Sequence, residues 1–482
     1  MAILDLIASF LTDYVLVIVL LAAALYFTFR TRGVQFRLIG DMFRLLVASG
    51  AKSVDDRHGA GASAVTGFQA FMVSIASRVG TGNLAGVATA IALGGAGSIF
   101  WMWVIALLGA ASAFVESTLA QLFKERDPEA GKGGAAFRGG PAYYILKGTG
   151  HKLWAATFAV LITVTFGLAF NSVQANTIAD AFAEAFDVPR LATGLALTVL
   201  TLIIIWGGIR SIARFSQWVV PVMAIAYILL AIYVICTNLD KLPYVFGLIF
   251  DEAFGARQAL GGTLGMALVM GTKRGLFSNE AGEGSTPNVA ATASVSHPVK
   301  QGLIQALGVF TDTLLICTCT AFIILCSGVY GPEGTSANGI VLTQQALELE
   351  TGSQGLGETF VGVAIFFFAF TSIVANYYYG ETNLRFMIDR RGVVIGYRIV
   401  VGLMVLAGSL SSLTAVWSFA DITMALMTLC NVAALFVLGK WALVCLEDYR
   451  VQRRRGIDPV FHADTIPELG DSISAWLHPD RR

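Results

Sequence analysis

Runs of roughly twenty apolar residues, set apart by short polar segments, recur eleven times along this chain, at 12–29, 64–92, 97–122, 153–185, 191–207, 216–237, 257–290, 300–328, 356–384, 393–411 and 415–447. A helix needs a run of that length to cross the hydrocarbon core of a bilayer. Inside hydrocarbon every backbone N–H and C=O must be satisfied within the protein, which restricts spanning structures to helices and closed barrels. Of the 482 residues 56% are hydrophobic and only 13% charged, too few charges to cover a water-soluble protein of this size. The chain reads as an all-α polytopic membrane protein. That excludes nucleic-acid binders, secreted disulfide scaffolds and ordinary cytosolic enzymes. The run at 14–29 lacks a basic leader and is followed by arginines, so it reads as a first transmembrane helix rather than a cleavable signal. The six cysteines lie in or beside apolar runs and read as small buried hydrophobes.

The basic residues fix an orientation. If the N-terminus is outside, 26 of the 32 Lys and Arg fall on the inner side and three, Arg190, Lys241 and Arg257, on the outer side. The remaining three, Arg78, Lys273 and Arg274, lie inside spans. The positive-inside rule then predicts N-terminus out and C-terminus in. The segment 34–46 alternates apolar and basic residues, and reads either as an interfacial helix on the inner leaflet or as a solvated connector. The glycine-rich stretch 131–150 lacks the ending of a nucleotide-binding loop and reads as an inner loop. The tail beyond Arg450 is polar and reads as cytosolic.

Two spans do not read as plain helices. The second contains Ser77-Arg78-Val79-Gly80-Thr81-Gly82-Asn83, and the seventh contains Gly271-Thr272-Lys273-Arg274-Gly275-Leu276-Phe277-Ser278-Asn279-Glu280-Ala281-Gly282-Glu283-Gly284. Glycine weakens a helix and lets its backbone open, which frees polar groups that hydrocarbon cannot satisfy. Close helix packing through small residues is the plain alternative for one such glycine pair. Two interrupted spans with buried charge, five spans apart, point to an inverted repeat whose broken helices mark a transport site. Freed N–H groups at a helix N-terminus suit a carboxylate, and freed carbonyls suit a small hard cation.

At these residues the chain resembles the alanine or glycine:cation symporter family. The resemblance rests on GFQAFMVSIASRVGTGNLAGVATAIALGG (67–95), GGPAYYILKG (139–148), GTKRGLFSNEAGEGSTPNVAATA (271–293) and FAFTSIVANYYYGE (368–381), and extends over nearly the whole chain beyond the first span. It implies the leucine-transporter fold of the amino acid–polyamine–organocation superfamily: a 5+5 inverted repeat with two broken helices, plus one extra N-terminal transmembrane helix. The regions would be 1–63 (first helix and inner connector), 64–237 and 238–447 (the two repeats) and 448–482 (cytoplasmic tail). The implied function is sodium-coupled symport of a small neutral amino acid, alanine or glycine, into a prokaryotic cell across its plasma membrane. Sodium is then the coupling ion, no other cofactor is called for, and the chain is not an enzyme. Proton coupling through Asp312 or Glu280 is the alternative; a channel or intramembrane hydrolase has no supporting motif.

By the same resemblance, sodium is held by carbonyls of Ala76, Val79 and Phe368 and by the hydroxyls of Thr371 and Ser372. Read from the residues alone, Thr371 and Ser372 are hard-cation ligands or merely bond back within their own helix. The substrate carboxylate is expected at the N–H groups of Thr81 and Gly82, and its ammonium near Gly271, Thr272, Ser278 or Asn279. Gln174 would bond the substrate or a neighbouring helix. Some members of the family carry a tryptophan four residues after the second hydroxyl, where this chain has Asn376. An asparagine facing the pocket leaves room for serine or glutamine. Arg78, Glu280 and Asp312 are buried charges expected to serve a gating or charge network.

Overall fold

The computed structural model describes residues 9–51, 65–128, 137–254, 263–331, 335, 337–353 and 355–477. The basic residues Lys52, Arg57, Lys132, Arg257, Arg481 and Arg482, and the start of the glycine-rich stretch at 131–136, lie outside them. From the N-terminus, α1 (Phe10–Arg30) leads to two short helices, α2 (Val34–Arg37) and α3 (Ile39–Ala51). The second apolar run is two helices, α4 (Gly67–Arg78) and α5 (Gly82–Gly94), and α6 (Gly97–Leu122) follows. A two-stranded antiparallel ribbon, Glu125–Arg126 with Phe137–Arg138, precedes α7 (Pro141–Thr149), α8 (Lys152–Phe186), α9 (Arg190–Ile205) and α10 (Gly208–Thr237). The second half comprises α11 (Leu242–Phe254), α12 (Thr263–Asn279), α13 (Pro287–Ala290), α14 (Pro298–Ser327), α15 (Gly339–Thr351), α16 (Leu356–Met387), α17 (Arg391–Leu410) and α18 (Leu413–Arg454).

All eleven apolar runs contain helix. Among the described residues, eight helices are long and apolar enough to cross a membrane, and α5 and α9 are shorter apolar helices. Counting apolar lengths passes over α7, α11 and α15, because each is shorter than a crossing requires. They nevertheless pack: Phe254 at the end of α11 lies against the rings of Phe100 and Trp101. α4 begins with a capping box, in which Thr66 Oγ1 accepts from Gln69 N and Gln69 Oε1 accepts from Thr66 N, each at 3.1 Å.

The two broken helices sit inside the bundle. α6 packs on α12, α14 and α1, while α8 packs on α16 and α17. α4 lies against α10, α16 and α14, and α5 against α12. Polar side chains on these helices are buried with the apolar ones, including Ser77, Asn83, Glu116, Gln174, Glu280, Asp312 and Asn376. In a bundle of lipid-facing helices, polar groups turn inwards to where partners exist.

The C-terminal segment, read from the sequence as a polar tail, docks on the bundle. Phe461, Ile466, Ile473 and Trp476 are buried against the bundle. Phe461 N donates to Ser296 O at 2.9 Å, and Trp476 Nε1 donates to Gln121 O at 3.0 Å. Lys124, beyond the end of α6, is completely buried there, donates to Gln121 Oε1 (2.7 Å) and Ala293 O (3.1 Å), and lies over the rings of Phe137 and Trp476. Burial pushes its pKa down to about 7, while the ring faces favour the charged form. Apolar residues spaced through a polar stretch produced this docking; overall polarity hid it.

Where α17 crosses α8 the backbones nearly touch. A Cβ on Gly408 would stand 2.5 Å from Ser172 Cα and 2.6 Å from its carbonyl oxygen, and backbone has no rotamer with which to yield. Gly408→Ala should therefore push the two helices apart and cost about 1–3 kcal/mol. Thermal unfolding in detergent measures it, with a lowered midpoint expected and an unchanged one counting against this contact.

Candidate functional site

Both interruptions expected from the glycine patterns are present. α4 ends at Arg78, Val79 leaves the helical region with ψ 89°, and α5 starts at Gly82. The released groups find partners on other segments. Gly80 N donates to Asn83 Oδ1 at 2.9 Å, and Thr81 N donates to Gln174 Oε1 of α8 at 2.9 Å. On the carbonyl side, Ser372 of α16 lies 2.8 Å from Ala76 O, 3.5 Å from Val79 O and 3.1 Å from Phe368 O. Position 80 must be glycine for this approach: a Cβ there would collide with Ser372 Oγ and come within 2.8 Å of Gln174 Oε1.

Ser372 thus brings together all three carbonyls named from the sequence. Thr371 behaves differently, since its hydroxyl bonds back to Phe368 O of its own helix at 2.9 Å. A hydroxyl set among three carbonyls on two helices offers the hard, neutral oxygens that an alkali cation takes.

The second interruption runs from Glu280 to Gly284. Glu280, Gly282 and Gly284 all have left-handed backbone, with φ of +57°, +90° and +85°. For Glu280 that conformation is strained by about 1–2 kcal/mol, and its carboxylate is held by hydroxyls of Ser77 (2.5 Å), Ser285 (2.6 Å) and Thr286 (3.3 Å). Glu116 of α6 accepts from Gly282 N at 3.2 Å, Gly284 N at 3.1 Å and Asn431 Nδ2 at 3.0 Å. Asn431 Nδ2 also reaches Gly282 O at 2.9 Å, and the Tyr144 hydroxyl donates to Asn431 Oδ1. A carboxylate across two freed N–H groups is the same arrangement that holds anions at helix N-termini, built here from the protein's own side chain.

The two interruptions touch. A Cβ on Gly82 would lie 3.1 Å from Ser278 Cα and from the Phe277 ring. Asp312 of α14 joins them: it accepts from Asn83 Nδ2 (2.7 Å), Ser278 Oγ (2.8 Å) and Thr313 Oγ1 (2.8 Å). Asn279 Nδ2 reaches Thr313 Oγ1 at 3.3 Å. Gly271 and Thr272 are not brought here. They lie within the unbroken helix α12, and Gly271 packs against Ser98 and Trp101 of α6. The helix opens two turns later than a reading centred on the first glycines places it, because Gly271 and Gly275 serve close packing on α6.

Asn376 lies one turn after Ser372, buried, with its amide 2.7 Å from Ser77 Oγ. Ser77 has one proton, and Glu280 at 2.5 Å is the stronger acceptor. With that proton on Glu280, the Asn376 amide meets Ser77 Oγ through Nδ2 as donor. Asn376 is thereby tied to the second interruption as well as facing the first.

The remaining buried charges are sorted by the same geometry. Arg78 donates from Nη1 to Gln305 O at 3.1 Å. Lys273 lies 2.8 Å from Asp13 and 3.3 Å from Asp421, and Arg274 is 2.5 Å from Asp421 with its guanidinium over the Trp417 ring. Glu381 pairs with Arg385 at 2.8 Å and Arg398 at 3.7 Å. Phe277 bridges the rings of Phe170 and Trp417, forming an aromatic layer beside Gly82.

The model of the sodium:alanine symporter family matches residues 1–463. The chain belongs to that family. Among its relatives is the probable sodium/glutamine symporter GlnT of Bacillus subtilis, 48% identical over 467 residues that cover 97% of this chain and 94% of that one. The amino-acid carrier protein AlsT of the same organism is 51% identical over 451 residues, covering 94% and 92%. Among solved structures, MhsT in complex with L-phenylalanine superposes with a TM-score of 0.58 at 15% identity, over 78% of this chain and 94% of that one. That likeness shows the fold, the leucine-transporter fold. The symporter is accordingly a multi-pass protein of the plasma membrane that carries amino acids with sodium, and it is not an enzyme.

Glu116 was visible only as a buried charge, one carboxylate in the otherwise apolar run 97–122; its partners lie 166 and 168 residues away. Replacing it by alanine leaves three donors unpaired in a dry core, at roughly 1–3 kcal/mol each. Glu116→Ala should lower the unfolding midpoint sharply, and Glu116→Gln, which keeps one acceptor oxygen, should lower it less. Equal midpoints for both variants would contradict this role.

Proposed function

We propose that this symporter brings small neutral amino acids into the cell, alanine and glycine together with serine and glutamine, and that sodium binds between α4 and α16. The observation that carries the reading is the convergence of Ala76, Val79 and Phe368 carbonyls on Ser372 Oγ. Sodium takes oxygen ligands from both helices there, Thr371 turning its hydroxyl in from Phe368 O. The substrate carboxylate docks at the Thr81 and Gly82 N–H groups, displacing Gln174 from Thr81. Its ammonium faces Ser278, Asn279 and the Asp312 carboxylate behind them. Alternating access follows from rocking of the two repeats, 64–237 and 238–447, about the interruptions, with the N-terminus outside as the basic residues require. Arg78 and Glu280 hold the interrupted backbone as the gates move.

The substrate range has two supports. The family is named for alanine and the relative GlnT for glutamine. Asn376 leaves space that an indole would fill. Proton coupling is the second reading, favoured by one observation: Glu283 is fully buried and neither of its carboxylate oxygens has a hydrogen-bond partner among the described residues.

Counterflow in proteoliposomes under sodium or proton gradients decides between the ions. Ser372→Ala should raise the half-saturating sodium concentration about tenfold or more, the worth of one ligand to a charge, and Thr371→Ala less. Unchanged sodium dependence in Ser372→Ala would remove the site. A separate measurement addresses selectivity. Asn376→Trp should abolish competition of labelled alanine uptake by glutamine and serine while leaving the sodium requirement near wild type; identical competition profiles would show that Asn376 does not bound the pocket.

A further inference from the structure

At the basic end of the molecule α2 and α3 meet the last turns of α18 at an open cleft of about 260 Å³, lined by Arg37, Leu38, Asp41, Tyr449, Arg450, Arg453 and Arg454. Three of these arginines share one face of α18 through their spacing of three and four residues. Four guanidinium groups meet one carboxylate, and that carboxylate is already shared: Asp41 lies 2.7 Å from Arg453 and 3.2 Å from Arg44. Arg450 donates to the Thr31 carbonyl at 2.7 Å, a bond that neutralises nothing. Among the described residues, Arg37, Arg450 and Arg454 make no ion pair. Burial first, then the like charge of Arg37, hold Arg450 below the ordinary arginine pKa; the Glu447 carboxylate opposes them, and Arg32 and Arg454 add to them. Among its lining residues the cavity carries an excess of positive charge.

Its depth in the membrane follows from α2 and α3. Phe36 on α2 is 49% exposed, and Ile39, Phe43 and Val47, which recur every fourth residue as an apolar stripe along one side of α3, are 43%, 56% and 72% exposed. An amphipathic helix of this kind lies in the interfacial plane with its stripe in the acyl region. The cavity beside it then stands at headgroup level, on the leaflet that the positive-inside rule makes cytoplasmic. Arginine's planar fork suits phosphate oxygens better than any other cationic side chain.

We propose that this cavity binds the phosphodiester headgroup of an anionic phospholipid of the cytoplasmic leaflet, with Arg37, Arg450 and Arg454 as ligands and the Asp41–Arg453 pair as its fixed wall. A lipid site here ties α3 to α18 and is independent of the transport reading. The test uses the purified full-length protein in detergent with phosphatidylglycerol, phosphatidylcholine of the same acyl chains, or inorganic phosphate, read by native mass spectrometry and by unfolding midpoint. Phosphatidylglycerol should be retained and raise the midpoint, and phosphatidylcholine should not. Each arginine near an anionic headgroup is worth about fivefold in affinity, so Arg450→Gln with Arg454→Gln should weaken retention roughly 25-fold. The exposed Arg454→Gln alone should weaken it about fivefold with the fold intact. Lys152→Gln, at an exposed basic position elsewhere on the same side, serves as the control and should leave retention unchanged. Equal retention of phosphatidylglycerol by wild type and the arginine variants overturns the proposal. So does reproduction of the full midpoint shift by inorganic phosphate, which would make the ligand a free ion rather than a lipid.

Discussion

The structure is organised around one physical constraint, that backbone opened inside hydrocarbon must be answered from elsewhere in the protein. α4 and α12 each give up part of their helical bonding, and each interruption is satisfied by side chains, most of them from helices distant in sequence. Ser372, Gln174 and Asn83 serve the first. Glu116 and Asn431 serve the second. These bonds fix where α6, α8, α16 and α18 must stand, since a displaced partner leaves a bare polar group in a dry core. Asp312, reaching both Asn83 and Ser278, holds the two interruptions in register with each other.

Charge follows the same logic with a different outcome. The pairs among Lys273, Arg274, Asp13 and Asp421 draw together α1, α12 and α18. Buried ion pairs contribute little net stability, because desolvation offsets most of the attraction. What they provide is placement, joining helices that lie far apart in sequence. Asp13 lies on α1, so the N-terminal helix shares in this network.

Much of this was legible in the chain, and the reasons are particular. The spans were readable because a crossing has a required length. The interruptions were readable because glycines and charges stood together within Ser77 to Asn83 and within Gly271 to Gly284. Thr371 and Ser372 were named together by resemblance; the structure turns Ser372 towards Ala76 O and Val79 O, while among the described residues the Thr371 hydroxyl bonds within its own helix, a difference of 100° around the axis that no motif encodes. Gly271 misled, because a glycine that permits close packing and one that opens a helix look alike in sequence. Glu116 as the partner of Gly282 and Gly284 was hidden for another reason: long-range partners depend on which helices become neighbours, and no local pattern records that.

The bond from Thr81 N to Gln174 Oε1 has a consequence for turnover. The donor at the first interruption already has an acceptor, carried on a tether anchored to α8. Any ligand that seeks that N–H competes with a side chain held at high effective concentration. Binding there is an exchange of partners and not the gain of a new bond, so its net strength is modest. Departure is correspondingly easy, since the amide returns as the ligand leaves and the donor never stands bare. A carrier has to let go of its cargo on the far side as reliably as it captures it on the near side, and a resident competitor lowers the depth of the well from which release begins.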